Sequence, residues 1–101
     1  MSEDPLIVDN IAQSRLETRV GDVVAELVYR VARGRLVIVH TGVPEELAGG
    51  GIGGKLVAAA LNKAIEEGLT VVPECPFAAA WLRKHAGEAT MVTIEWPEDE
   101  S

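Results

Sequence analysis

The sequence predicts an α/β (α+β) domain with a mixed, mostly antiparallel sheet and one β-α-β crossover, in the order β-β-β-α-β-α-β. Two observations predict this class. The first 41 residues contain short segments of alternating apolar and polar side chains, separated by glycine-containing turns. Residues 51–67 instead repeat apolar side chains at helical spacing. The length of 101 residues is that of one compact domain, spanning 1–101.

The first half of the chain predicts an antiparallel meander, because each strand pattern is followed by a tight-turn signal. The strands and turns are, in order, 14–20, Gly21-Asp22, 23–30, Arg33-Gly34 and 35–41. The third strand is apolar on both faces, as in a central strand covered on both sides. Strict alternation places Leu36, Ile38 and His40 on one face. Val37, Val39 and Thr41 then lie on the other face.

The second half predicts a helix, a strand, a helix and a last strand. Gly68 follows the first helix as a C-terminal cap, and 69–72 is a short strand with β-branched residues. Pro76 suits the first turn of the second helix, and 90–94 forms the last strand. The crossover into 69–72 brings the carboxyl ends of two parallel strands to one edge, where α/β sheets bind ligands.

Composition limits the classes of function. With 9 Lys and Arg against 16 Asp and Glu the net charge is −7, which counts against nucleic-acid binding, since counterion release needs a basic face. Five of the acids lie near the ends (Glu3, Asp4, Glu98, Asp99 and Glu100). We therefore expect an ordered core of about 9–95 between flexible acidic ends.

Cysteine usage and hydropathy predict the compartment. The single cysteine, Cys75, cannot form an intrachain disulfide, which favours a reducing compartment. No apolar run approaches the roughly 18 residues of a membrane span, and the acidic start differs from a secretory leader. The expectation is a cytoplasmic protein without a membrane partner. No Cys/His cluster has metal-ligand spacing, so no metal is expected.

The glycine run 49–54 stands at the mouth of the long helix. Glycine costs about 0.5–1 kcal/mol relative to alanine wherever it becomes helical, so such a run indicates close approach of the backbone to another group. The unpaired amides and the dipole of a helix N-terminus favour a phosphate. A flexible hinge without any ligand is the alternative.

Three known phosphate-binding motifs can be compared with the glycine run. Gly49, Gly51 and Gly54 match a dinucleotide fingerprint, but a loop separates them from the preceding strand. Gly49, Gly54 and Lys55 match a P-loop, but Leu56 stands where Ser or Thr would hold magnesium. The third motif is a glycine-rich turn that follows a strand and a short loop and opens a long amphipathic helix.

This third motif resembles the acetyl-CoA pyrophosphate site of the GNAT N-acetyltransferases. Their signature is Arg or Gln, two residues, Gly, one residue, then Gly or Ala. Gly51 and Gly53 occupy the glycine positions, and Ala48 stands where Arg or Gln is usual. The segments 40–44 (His-Thr-Gly-Val-Pro) and 75–77 (Cys-Pro-Phe) are more specific. Together they resemble the minimal, single-domain Yjdj-type branch of that superfamily, over about residues 9–94.

The resemblance implies an acetyl-CoA-dependent N-acetyltransferase with a GNAT-like fold. In that family the pantetheine arm of coenzyme A follows the end of the central strand, and the pyrophosphate lies on the amides of the glycine run. Lys55 at the helix start would lie near the pyrophosphate, and Lys84 near the outer phosphate. The expected cofactor-binding residues are Thr41, Val43, Gly49, Gly50, Gly51, Ile52, Gly53, Gly54, Lys55 and Lys84.

Cys75 and His40 are the predicted catalytic residues. Cys75 precedes Pro76 and can form the N-cap of the second helix, whose dipole favours a thiolate. The resemblance makes this cysteine an acetyl acceptor in a covalent route. Direct attack by the amine and an inert buried thiol are the alternatives. His40 could be the general base for Cys75 or for the amine, or a structural histidine. Phe77 and Trp81 are expected in the core rather than at a ligand.

The acceptor is expected to be a small-molecule or peptide amine, and the protein a monomer or a weak dimer. Two other classes of function stay open. One is a non-catalytic acyl-CoA-binding or protein-interaction module on a degenerate fold of the same family, supported by the short chain and by Ala48. The other is a phosphate-binding domain unrelated to acetyl transfer.

Overall fold

The computed structural model describes residues 6–85, 87 and 91–97. Its sheet has five strands in the order β1-β2-β3-β4-β5. All neighbours are antiparallel except β4 and β5, which are parallel. This confirms the predicted mixed, mostly antiparallel class. The elements are β1 (Ile7–Asn10), β2 (Arg15–Val20), β3 (Val23–Ala32), β4 (Arg35–Gly42), α1 (Ile52–Glu67), β5 (Thr70–Pro73) and α2 (Pro76–Lys84), with 3-10 turns at Ile11–Gln13 and Glu45–Leu47.

Two elements differ from the sequence-based expectation. Strand β1 was not predicted, because four residues are too few to show alternation; it forms by pairing with β2. The strand predicted at 90–94 is wrong for 91–94, where only Ile94 forms a bridge, to Val71. Residues 91–94 contain β-branched side chains, which favour a strand. The outer edge of β5, a strand of only four residues, pairs with them at one position. Thr90 and the acidic ends lie outside the described residues.

The core lies between the sheet and the two helices. Leu56, Val57 and Ala60 of α1 are fully buried, as the helical spacing predicted. They join Leu27 of β3 and Leu36 of β4 in one apolar cluster, which also contains residues of α2. Each large aliphatic side chain buried in this way contributes about 1.5–3 kcal/mol to stability. No helix in the described part of the chain is long and apolar enough to cross a membrane.

A β-bulge interrupts β4 near the edge where a site is expected. Ile38 pairs with Tyr29, but the next pair is His40 with Val28, so Val39 is an extra residue. Such a residue reverses the alternation beyond it. Thr41 therefore shares the buried face of Ile38, whereas His40 lies on the opposite face. The strict alternation predicted for this strand is wrong beyond Val39.

A polar network ties β1 and β3 to α1. The Tyr29 hydroxyl donates to Asp9 Oδ1 at 2.6 Å, and Lys63 Nζ donates to Asp9 Oδ2 at 2.8 Å and to Glu67 Oε2 at 2.9 Å. Burial, followed by the hydrogen bond to Asp9, raises the pKa of Tyr29 to about 12. The hydrogen bond to the same carboxylate raises the pKa of Lys63 above its ordinary value. The protonated forms of both groups therefore stabilise the fold.

We expect the free energy of unfolding to decrease in alkali because of Tyr29. Its pKa is higher in the folded chain than its ordinary value of 10.0, so the stabilisation is complete below pH 10 and is lost as the pH rises through about 12. Urea unfolding measured between about pH 9 and about pH 12 would show the decrease. Tyr29→Phe, which cannot ionise, should flatten this dependence. If the original protein and Tyr29→Phe lose the same free energy of unfolding over this pH range, Tyr29 is not the group responsible.

Candidate active site

Strands β4 and β5 separate at the edge of the sheet and form a fork. Their pairing runs from Arg35 with Thr70 to Ile38 with Pro73, while β4 continues to Gly42. The Ile38 carbonyl accepts from the backbone N–H groups of both Glu74 and Cys75, each at 3.1 Å. Because the chain turns away there, no described strand pairs with residues 39–42 on the β5 side. That edge can offer main-chain donors and acceptors to an extended ligand.

Cys75 lies in this fork as the N-cap residue of α2, with Pro76 at the first helical position, as the sequence predicted. Its side chain is buried, and its Sγ atom is 3.6 Å from Thr41 Oγ1. Its carbonyl accepts from Ala79 N–H at 3.0 Å, while its side chain makes no capping bond. The thiol thus lies at the positive end of a helix, beside one hydroxyl.

His40 lies on the other face of β4 and is exposed to solvent. A Cβ atom added to Gly42 would lie 3.2 Å from His40 Nε2 and 3.7 Å from Glu26 Cγ, so these two side chains flank Gly42. The Glu26 carboxylate accepts from Arg15 Nη1 at 3.2 Å. The structure thus brings Cys75 together with Thr41, and does not place His40 on the same face.

A cavity of about 320 Å³ lies at the N-terminus of α1. The amides of Ile52, Gly53 and Gly54 have no acceptor within the helix, whose first bond runs from Lys55 N–H to the Gly51 carbonyl at 3.1 Å. The cavity is lined by Val43, Leu47, Ala48, Gly49, Gly51, Ile52, Gly53, Gly54, Phe77 and Trp81.

Six of the ten predicted cofactor-binding residues line this cavity: Val43, Gly49, Gly51, Ile52, Gly53 and Gly54. Thr41 lies in the fork beside Cys75. Gly50 and Lys55 are outside the lining. Lys84 lines a neighbouring cavity of about 160 Å³ that shares Phe77 and Trp81 with the first.

Local structure also favours glycine at four positions of this run. Gly49 and Gly51 have φ angles of 88° and 79°, in the left-handed region that side chains rarely adopt. A Cβ atom on Gly53 would lie 2.7 Å from Phe77 Cζ, and one on Gly54 would collide with the Trp81 indole. The close approach that the glycine run indicated therefore includes approach of the α2 aromatic rings to the α1 backbone.

Phe77 and Trp81 were expected in the core, and the structure corrects that expectation for Phe77, which is 45% exposed. Trp81 is half-buried and packs against the core cluster, and both rings line the cavity. The Trp81 ring also stacks on His85, with centroids 4.1 Å apart. Their spacing of four residues places them on one side of α2 and was a usable signal. Among the described residues, no group of His, Cys, Asp and Glu is arranged to hold a metal ion.

Comparisons with known proteins agree with this architecture. The model of a family described as GCN5-related N-acetyl-transferase matches residues 15–91. The chain is also similar to the NMR solution structure of a GCN5-like protein from Staphylococcus aureus, for which N-acetyltransferase activity is itself an inference. The two share 28% identity over 93% of each chain, with a TM-score of 0.69. No curated protein matches the chain. The family match, supported by this fold, shows that the chain belongs to the GCN5-related N-acetyltransferase (GNAT) superfamily.

Proposed function

We propose that the chain is an acetyl-CoA-dependent N-acetyltransferase that transfers an acetyl group to an amine. One observation supports the proposal: the chain leads directly from the fork, at the end of β4, to the cavity. Thr41 contacts Cys75 in the fork, and Val43, two residues later, lines the cavity. A single extended donor could therefore place its thioester beside Cys75 and its phosphates at the N-terminus of α1.

The residues present fit coenzyme A. The unpaired edge of β4 offers main-chain groups to the pantetheine arm around Thr41 to Val43. The amides of 52–54 offer donors to the pyrophosphate. We assign Gly49, Gly50 and Gly51 to the loop around the pyrophosphate, Lys55 to its vicinity, and Lys84 to the outer phosphate. When bound, acetyl-CoA supplies an activated acetyl thioester.

The proposed chemistry is a two-step transfer through Cys75. The thiolate attacks the acetyl carbonyl carbon, a new C–S bond forms at Cys75, and coenzyme A leaves as its thiolate. The acceptor amine then attacks the acetyl-cysteine, and the Cys75 thiolate leaves. The amine loses a proton in this step, and we assign its uptake to His40 by relay through solvent, because His40 lies at the same end of β4 but on the face opposite Cys75. Direct attack of the amine on acetyl-CoA is the competing route.

Mass spectrometry of the intact protein tests this proposal. Incubation with acetyl-CoA should add one acetyl group, located on Cys75 by peptide mapping, and a panel of small and peptide amines should discharge it. Binding of coenzyme A without transfer to any amine would favour the non-catalytic acyl-CoA-binding module instead. Absence of coenzyme A binding at millimolar concentration would refute both functions.

Thr41→Val should slow acetylation of Cys75 about tenfold or more, because a hydrogen bond to a charged group contributes about 1.5–3 kcal/mol. The hydroxyl lies 3.6 Å from Sγ and can donate to the thiolate. The rate is measured by mass spectrometry across pH. Thr41→Ser keeps the hydroxyl and should restore most of the rate. If valine and serine at this position behave alike, the hydroxyl has no role.

GNAT enzymes act on small-molecule or peptide amines, and we propose the same acceptor classes here. We also propose a monomer or weak dimer that acts in the cytoplasm. Sedimentation velocity over a range of protein concentrations tests the oligomeric state. Assignment to the minimal Yjdj-type branch stays a prediction from the sequence.

A further inference from the structure

The face of the sheet that points away from the two helices, here the outer face, carries a row of charged side chains. The strand register aligns Glu17 of β2 with Glu26 of β3, and Glu26 with Gly42 at the end of β4. Arg15 lies on the same face, because it is two residues from Glu17 on one strand. Both helices pack against the opposite face, around Leu27. The proposed function assigns no role to Arg15, Glu17 or Glu26.

One guanidinium in this row is shared by two carboxylates. Arg15 donates from Nε to Glu17 Oε2, and from Nη1 to Glu26 Oε1 at 3.2 Å. Asn10 Nδ2 also donates to Glu17 Oε2, at 3.3 Å. Among the described residues, Glu17 thus accepts from two side chains and Glu26 from one. Arg19, the next residue of β2 on this face, is exposed and forms no described ion pair with either carboxylate. One negative charge is left uncompensated, and Glu26 is the less satisfied of the two acids.

Glu26 and His40 lie together on either side of Gly42. A Cβ atom on Gly42 would lie 3.2 Å from His40 Nε2 and 3.7 Å from Glu26 Cγ. Gly42 does not have a positive φ angle, so the main reason for glycine here is the space that the imidazole ring occupies. The preceding residue, Thr41, contacts Cys75 on the other face. The carboxylate and the imidazole therefore lie across β4 from the thiol, at the same end of the strand.

The sheet is open between these two faces. Beyond Ile38, no described strand pairs with β4 on the β5 side, so backbone hydrogen bonds do not close the sheet there. A cationic group beside Glu26 would lie on the same face as His40 and next to this opening. Its charge would offset the negative charge that Arg15 leaves uncompensated.

Resting on the proposed function, we infer that Glu26 selects the acceptor by holding its ammonium group on the outer face of the sheet. The favoured class is an alkylammonium with no carboxylate nearby, because a second anion would be repelled by the excess negative charge. The proton passes through solvent to His40. The neutral amine then attacks acetyl-Cys75 through the fork, so that a C–N bond forms, the C–S bond breaks and the Cys75 thiolate leaves.

Discharge of the acetyl-enzyme tests Glu26 separately from the acetylation step. The protein is acetylated with acetyl-CoA, freed of it and mixed with butylamine, and loss of the acetyl group is followed by intact-mass spectrometry. Glu26→Gln should lower the rate constant with butylamine about fivefold, the effect of one partly exposed charge pair. Hydroxylamine, which is uncharged near neutral pH, should discharge both proteins at the same rate. Acetylation of Cys75 should also be unchanged, since Glu26 lies on the other face of β4.

A matched acceptor tests the preference against a carboxylate. γ-Aminobutyrate has the same number of carbon atoms as butylamine and also carries a primary ammonium, but it ends in a carboxylate. It should discharge the original acetyl-enzyme more slowly than butylamine, by about fivefold. Glu26→Gln should reduce this difference, because the substitution removes the excess negative charge. A difference that is absent, or that persists undiminished in the variant, would contradict the charge argument.

Glu66→Gln is the matched control for Glu26→Gln. It also removes one negative charge, but Glu66 is exposed on α1, on the helical side of the sheet, and should leave discharge by both amines unchanged. If Glu26→Gln keeps the original rate with butylamine, or slows hydroxylamine equally, the inference is wrong and the proposed function stands. If no acetyl-enzyme forms, kcat/KM for butylamine in transfer from acetyl-CoA gives the same comparison. Absence of transfer to any amine would overturn both.

Discussion

Cys75→Ser is expected to lower the rate of acetyl transfer at least about a hundredfold and to abolish the acetyl-enzyme. Sulfur attacks a thioester far more readily than a serine hydroxyl does, and the Cys75 sulfur is the attacking atom in the proposed route. Serine is close in size to cysteine and can still contact Thr41. The fold should therefore be retained while the chemistry is lost. Steady-state kinetics with an acceptor amine and intact-mass analysis give the two readouts.

The controls for Cys75→Ser separate chemistry from folding. Cys75→Ala removes the nucleophile entirely and should match the serine variant in rate. Coenzyme A binding, measured by calorimetry, should be nearly unchanged in both, since Cys75 does not line the cavity. If Cys75→Ser transfers acetyl groups at the original rate, the amine attacks acetyl-CoA directly and Cys75 takes no part in the transfer.

Features that depend on local signals were predictable from the sequence. The change from alternating to helical spacing located α1, and the proline after Cys75 predicted the N-cap position that the structure shows. The crossover rule placed the glycine run and Cys75 at one edge of the sheet. The first two inferences use residues that are neighbours in the chain, where propensity and steric rules apply directly, and the third uses a general rule of sheet topology.

Features that depend on pairing between distant residues were not predictable. The bulge at Val39 arises from the register of β4 against β3, and the local sequence there (Val37, Ile38 and Val39) contains no glycine or turn signal. One extra residue decides whether His40 or Thr41 faces Cys75. The contact of Thr41 with Cys75, 34 positions apart, therefore became visible only in three dimensions.

The contacts of the aromatic residues also depend on parts of the chain that are distant in sequence. Phe77 and Trp81 lie next to Gly53 and Gly54 because α2 crosses the start of α1, and no pattern within either helix specifies that approach. The sequence could place the rings on one side of α2 but could not distinguish a core from a cavity wall. The cavity wall that these rings form with the N-terminus of α1 likewise became visible only in the assembled structure.

Ile38→Ala is expected to lower the free energy of unfolding by about 2–5 kcal/mol, a large part of the roughly 5–15 kcal/mol available to a domain. The Ile38 side chain is fully buried in the main cluster, at the last paired position before the fork opens. Its removal leaves a cavity between the sheet and the helices. Urea unfolding followed by circular dichroism measures the loss.

Val39→Ala is the matched control for Ile38→Ala, because Val39 is the adjacent residue but is 39% exposed in the bulge. We expect it to lower stability by less than about 1 kcal/mol. Neither substitution removes the Ile38 carbonyl, so the bonds from Glu74 and Cys75 can persist and the difference reports the side chains alone. Equal losses in the two variants would contradict the burial of Ile38 beneath the fork. A large loss confined to Ile38→Ala would establish that packing of this side chain anchors β4 at its last paired position before the fork.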